Sequence, residues 1–178
     1  MQWHLLVVDI QDAFAPHITG WDAVTSRARI MIEAARKLDA AVTATEQYPE
    51  RLGPTIAPVK AALDGLPIFP KTAFSSLRVP EVLARITDTR PVHLLLVGIE
   101  AHVCVLQTAL DALALPGGGV TPYVLVDAVS SRRPLDRDTA FRRLECAGAV
   151  LSTVESAIFE MLGRAGTARF KSILPLVK

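Results

Sequence analysis

What this chain lacks narrows its function before any motif is read. It holds only two cysteines in 178 residues, Cys104 and Cys146. Two thiols cannot build the disulfide framework of a small secreted fold. A reducing compartment is therefore expected, the cytoplasm first, with an organelle left open. An excess of one charge is missing too: 19 Lys and Arg face 18 Asp and Glu, a net charge of +1. Electrostatic nucleic-acid binders carry a strong basic excess, so no nucleic-acid partner is expected. The basic clusters Ser131-Arg132-Arg133-Pro134 and Arg142-Arg143 read instead as a solvated loop and a helix face. No apolar run has the length of a membrane-spanning helix. The first residues carry neither the basic region nor the cleavage site of a secretory signal, so no membrane partner is expected either. His4, His17 and His93 show no metal-ligand spacing. Internal repeats and long low-complexity linkers are absent.

What the chain does have is apolar mass in an alternating order. At 51% hydrophobic it can bury a sizeable core, and its length suits one domain over residues 1–178. Trp3 to Val8 is a short apolar run that reads as a buried strand. Trp21 to Leu38 has helical spacing, and Ala40 to Thr45 reads as a second strand. Pro49 to Pro58 is loop-like, with Val59 to Leu63 a helical turn. Leu66 to Pro70 reads as a third strand and Pro80 to Ile86 as a helix with Pro in its first turn. Val92 to Val97 is a fourth strand, followed by a helix from Gln107 to Leu113 that ends in the Leu115-Pro116-Gly117-Gly118-Gly119 stretch. Tyr123 to Val126, ended by Asp127, is a fifth strand. A helix over Leu135 to Ala147, a sixth strand at Ala149 to Leu151 and a helix from Ala157 to Leu162 complete the alternation. Such an order implies a three-layer α/β/α sandwich with a mostly parallel sheet of about six strands. The strand order does not follow from it.

Three reactive side chains fall at strand ends. Asp9 follows the first strand, Lys71 the third, and Cys104 lies just past the fourth, at the start of a helix. In a parallel sheet the C-terminal strand ends share one edge, where open α/β sheets place their sites. A helix N-terminus and a nearby cation both favour a thiolate, so the Cys104 pKa is expected below about 8.5. Each residue has a plainer reading alone: an inert core thiol, a turn-fixing Asp, an exposed Lys. Strand-end position also nominates Asp12, Phe14, Glu46, Gln47, Tyr48 and Phe74 for a pocket wall. His102 is placed to touch substrate or tune Cys104, or is simply a polar residue at a helix start. Cys146 reads as packing late in a helix, and Asp127 as a turn cap.

The motifs Val7-Val8-Asp9-Ile10-Gln11-Asp12-Ala13-Phe14, Pro70-Lys71-Thr72-Ala73-Phe74-Ser75 and Gly98-Ile99-Glu100-Ala101-His102-Val103-Cys104-Val105 resemble those of the isochorismatase-like cysteine hydrolases. The likeness extends through Val126-Asp127-Ala128-Val129-Ser130-Ser131-Arg132 to Phe170-Lys171-Ser172-Ile173, and is nearest to the isochorismatase domain-containing subgroup. It implies a catalytic triad of Asp9, Lys71 and Cys104, a cis Ile99–Glu100 peptide, and an oxyanion hole from the N–H groups of Glu100 and Cys104. It also implies a homo-oligomer, dimer or tetramer, assembled through helices near the nucleophile. The implied chemistry is C–N hydrolysis of a small amide or imide through a Cys104 acyl-enzyme, with Asp9 as base. Two departures refine this. Members acting on nicotinamide carry an acid and several His after the second strand; Thr45-Glu46-Gln47-Tyr48-Pro49-Glu50-Arg51 has no His, so no metal and no cofactor are expected. Isochorismate-cleaving members lack the cysteine, so Cys104 speaks against that substrate. A non-catalytic interaction protein and a redox-responsive thiol protein stand as alternatives on the same fold.

Overall fold

The computed structural model describes residues 3–116 and 120–178. These residues form six strands: β1 (Trp3–Val8), β2 (Ala41–Gln47), β3 (Ile68–Lys71), β4 (His93–Ile99), β5 (Thr121–Ser130) and β6 (Val150–Ser152). Eight α-helices join them: α1 (Trp21–Lys37), α2 (Pro49–Leu52), α3 (Ala57–Ala62), α4 (Pro80–Thr89), α5 (Leu106–Leu113), α6 (Pro134–Ala147), α7 (Val154–Leu162) and α8 (Ala168–Val177). All strands pair in parallel, in the order β3-β2-β1-β4-β5-β6.

Two-residue periodicity splits the central strands between two cores. Leu5, Val7, Leu95 and Val97 pack on one face with Ala28, Met31 and Ile32 of α1, Ile158 of α7 and Ile173 of α8. Leu6, Val8, Leu94 and Leu96 pack on the other with Val82 and Ile86 of α4, Ala109 of α5 and Leu144 of α6. Burial on both faces is why β1 and β4 read as continuous apolar runs rather than alternating ones. The chain winds outward from β1 to β3, then returns to β4 on the opposite side. That reversal opens a crevice at the C-terminal ends of β1 and β4.

Gly98 sets how closely those two strands meet. Its φ is 118°, and a Cβ there would lie 2.0 Å from the Val8 carbonyl oxygen. Only glycine meets both demands. Helix ends follow ordinary capping: Thr153 and Thr167 accept from the Ser156 and Phe170 N–H groups at the starts of α7 and α8. Gly148, at φ 100°, terminates α6.

Several local expectations change. The Pro49–Pro58 loop contains α2 and the start of α3, because Pro is compatible with the first turn of each. β2 runs on to Gln47, so Glu46 and Gln47 lie in the strand. β5 continues through Asp127 to Ser130, with a register shift against β4 between Leu96 and Gly98. Asp127 does not cap a turn of its own; its Oδ1 accepts from Val154 N–H at the start of α7. The helix stop expected at Gly117-Gly118-Gly119 lies outside the described residues. No helix among the described residues is long and apolar enough to cross a membrane.

Candidate active site

Asp9, Lys71 and Cys104 converge at the crevice. Asp9 sits one residue past β1, at φ 54°, and its N–H extends the ladder to Thr45 O at 3.1 Å. Its Oδ1 accepts from Thr45 Oγ1 at 2.8 Å. Its Oδ2 lies 2.7 Å from Lys71 Nζ, with both side chains essentially sealed from solvent. That contact is a buried ion pair.

Lys71 closes β3, which carries its ammonium beneath the crevice. Every neighbour of Nζ is an acceptor: Gln47 Oε1 at 2.5 Å, Phe74 O at 3.1 Å, Ala73 O at 3.2 Å and Cys104 Sγ at 3.4 Å, besides Asp9. Three ammonium protons cannot serve five acceptors at once, so this cation can redistribute its bonds between carboxylate and sulfur.

Cys104 is not in the first turn of an α-helix. It lies in a π-helical turn, Ala101–Val105, inserted between β4 and α5. The widened turn is a single-turn π-bulge of the kind that often occurs at functional sites. The thiol is 6% exposed, and its Sγ lies 3.4 Å from Lys71 Nζ and 3.9 Å from Gln47 Oε1, with the Asp9 charge close enough to act on it. Its pKa is the reverse of the expectation from sequence. Burial pushes it up to about 12, the Asp9 charge adds to the rise, and Lys71 opposes it. Burial also raises Asp9 against the pull of Lys71. In the free protein the sulfur is thus a thiol facing a carboxylate of increased basicity.

The Ile99–Glu100 peptide is cis. The Asp9 and Tyr48 N–H groups, just past β1 and β2, continue the ladder to Thr45 O and Lys71 O. Among the described residues the Glu100 N–H, just past β4, has no such backbone partner. The Glu100 side chain is buried, and its Oε2 accepts from Arg132 N–H at 2.9 Å and Arg132 Nε at 3.1 Å.

Cys104 opens into a cavity of about 370 Å³. Phe14, Gln47, Tyr48 and Phe74 line it as strand-end position suggests, together with Glu100. Three nominated residues do not. Glu46 Oε1 accepts from Thr55 N–H at 2.6 Å and Thr55 Oγ1 at 2.8 Å, which ties down the segment after α2. Asp12 starts an exposed 3-10 turn, Asp12–Phe14, and is outside the lining. His102 pairs through Nδ1 with Ser131 Oγ at 2.9 Å, and so pins the loop after β5. Leu52, Val103 and Arg132 are the wall residues that strand-end reasoning misses. Leu52 belongs to a helix hidden in an apparent loop, and Arg132 resembles any solvated loop cation. Cys146 is exposed on α6. No group of three or more potential ligands is placed to hold a metal ion among the described residues.

A doubly wound parallel sheet with an Asp–Lys–Cys cluster at its switch point defines an α/β protein of the isochorismatase-like type. The chain belongs to the isochorismatase family: the Isochorismatase domain matches residues 4–156. It is 42% identical to isochorismatase domain-containing protein 2 of Bos taurus, over 98% of this chain and 82% of that protein. It is 40% identical to the secreted isochorismatase effector Isc1 of Phytophthora sojae, over 98% of this chain and 83% of that one. Among solved structures it is similar to a Caenorhabditis elegans protein described as MAR1 ribonuclease. The TM-score is 0.93 at 40% identity, over 99% of this chain and 89% of that chain.

Proposed function

We propose that the protein is a metal-independent cysteine hydrolase that cleaves a C–N bond in a small amide or imide. The observation that carries this is the sealed contact of one thiol, one carboxylate and one ammonium beneath a cavity of small-molecule size. Such cavities run from ~300 to ~1,000 Å³, and this one lies near the lower end.

Asp9 takes the Cys104 proton. The transfer turns a carboxylate and a thiol into a carboxyl and a thiolate, and the net charge of the cluster with Lys71 is unchanged. The negative charge moves by one contact and stays beside the same cation, 2.7 Å from Nζ before and 3.4 Å after. This limits the cost of forming a thiolate whose resting pKa is high. The thiolate adds to the carbonyl carbon, and the oxygen gains the charge. The free Glu100 N–H and that of Cys104 form the oxyanion hole. The C–N bond breaks as protonated Asp9 gives its proton to the leaving nitrogen. A water, deprotonated by Asp9, then hydrolyses the thioester and restores the thiol.

Phe14, Gln47, Tyr48 and Phe74 form the walls around the substrate. We read residues 1–178 as one domain of this type, in the cytoplasm, and working as a dimer or tetramer. The exposed Leu135 and Phe159 offer apolar surface for that assembly. Light scattering that gives only monomer at micromolar concentration would remove the oligomer.

The deciding experiment is intact-protein mass spectrometry after exposure to a panel of amides and imides, with ammonia release followed in parallel. An acyl adduct on Cys104, absent in Cys104→Ala, is the expected result. Cleavage of an RNA panel with no adduct and no ammonia release would replace this reading.

A further inference from the structure

Arg132 presents a held but unsaturated guanidinium at the mouth of the Cys104 cavity. Its Nε and backbone N–H both donate to one oxygen of Glu100, which is itself 8% exposed. Its own side chain is 59% exposed. Arginine has five N–H donors in a planar fork. With Nε committed to Glu100, the four donors on its two terminal nitrogens have no protein partner among the described residues. Glu100 therefore acts as a positioning residue that fixes the plane of the fork.

The same side chain stands in two adjoining cavities. Phe14, Leu52, Glu100 and Arg132 line both the Cys104 cavity and a neighbour of about 310 Å³ that adds Ala13 and His17. A substrate whose amide reaches Cys104 can thus extend past Arg132. Phe14, Leu52, Phe74 and Val103 supply apolar wall, and Gln47 Oε1 is already engaged by Lys71. Arg132 is therefore the strongest uncommitted donor that a ligand entering from solvent meets. Glu100 is paired and almost covered, so it does not compete as an anchor for a cationic group.

We propose that Arg132 is the specificity determinant of this pocket, and that it selects small amides bearing a carboxylate by donating to that carboxylate from its terminal nitrogens. Planar carboxylates match this fork with two parallel hydrogen bonds. The proposal rests on the C–N hydrolase reading above and names its substrate class.

The test compares ammonia release from the monoamides of malonic, succinic and glutaric acids with release from propanamide, butanamide and pentanamide. In the unaltered protein the best carboxylate-bearing amide should exceed its neutral match in kcat/KM by roughly tenfold or more. Arg132→Met should bring the kcat/KM ratio of each carboxylate-bearing amide to its neutral match close to one, whatever it does to the neutral amides by themselves. Arg132→Lys should restore only part of it, because it returns the charge without the fork. Equal rates for both series, or an Arg132→Met loss shared equally by both, overturns the proposal and leaves the hydrolase reading standing. If no amide releases ammonia, the hydrolase reading falls, and calorimetric binding of the same monoamides to Cys104→Ala decides the subsite. Binding that weakens by roughly tenfold or more when Arg132→Met is added sustains it. No binding, or binding indifferent to Arg132→Met, refutes it. Thermal unfolding checks that each variant is folded; should Arg132→Met not fold, Arg132→Lys carries the comparison.

Discussion

Replacing Lys71 with Met tests the electrostatic logic of the site through stability, independently of any substrate. In the native protein the Lys71 and Asp9 side chains are 0% and 1% exposed, with Nζ and Oδ2 2.7 Å apart. Met fills similar volume but leaves Asp9 without its cation. Breaking one partner of a buried pair costs about 3–5 kcal/mol, because the other charge stays desolvated. Asp9 can avoid that penalty by taking a proton. The ordinary carboxylate value of 3.8 lies about 3 pH units below neutrality. At about 1.36 kcal/mol each, protonation caps the cost near 4 kcal/mol at neutral pH. The sign is set by proton binding. With Lys71 gone, the folded pKa of Asp9 rises further above its unfolded value, so the folded state binds the extra proton. The two proteins differ little while Asp9 is protonated in both, and the deficit grows as pH rises from the native Asp9 pKa, itself above 3.8, toward the higher folded pKa of the variant. Urea unfolding of both proteins from about pH 4 to about pH 8 reads this directly. Asp9→Asn in the Lys71→Met background should recover most of the loss, since no buried charge remains. A deficit that is constant with pH, or a double variant as unstable as the single one, would refute the reasoning.

Other consequences can be checked separately. Gly98→Ala places a Cβ 2.0 Å from Val8 O and should abolish folding or lower the melting temperature severely, as read by thermal unfolding of the soluble fraction. With its thiol buried and pushed up to about 12, Cys104 should alkylate with iodoacetamide more slowly than the exposed Cys146 near neutral pH; peptide mapping that finds Cys104 faster would mean that the cluster holds a thiolate at rest. His4 is buried between Thr43 and Thr89, and burial, helped by Arg85, lowers its pKa to about 4. It remains neutral on folding, so it removes about 3 kcal/mol of stability as pH falls from 6.5 to about 4, and His4→Gln should flatten the stability profile across that window. Turnover of any amide found should survive exhaustive chelation; loss with rescue by zinc or iron would bring a metal into the mechanism.

The sandwich, its parallel strands and the positions of Asp9, Lys71 and Cys104 can be read from the sequence because they depend on local order. Apolar runs such as Leu5-Leu6-Val7-Val8 mark strands buried on both faces, and a polar residue directly after such a run marks the functional edge. The partners of residues near a strand end are less legible. Glu46 and Gln47 are adjacent in β2, yet one binds Thr55 and the other meets Lys71. Successive strand residues point to opposite faces, and only the register of β2 against its neighbours decides which of them meets the cavity. Arg132 looks like a loop cation until Glu100, far away in sequence, is folded against it. The basicity of the site changes sign for a similar reason. Helix position and a nearby lysine argue for an easily ionised thiol, but these are local terms. Desolvation depends on how many residues from distant segments close over the sulfur, and that is the larger effect. The sequence by itself determines which chemical groups reach the C-terminal edge of the sheet, since chain order and periodicity set it. Only the tertiary structure decides which of them touch, which are dry and which remain free for a ligand, because burial and pairing belong to the assembled fold and not to any one segment.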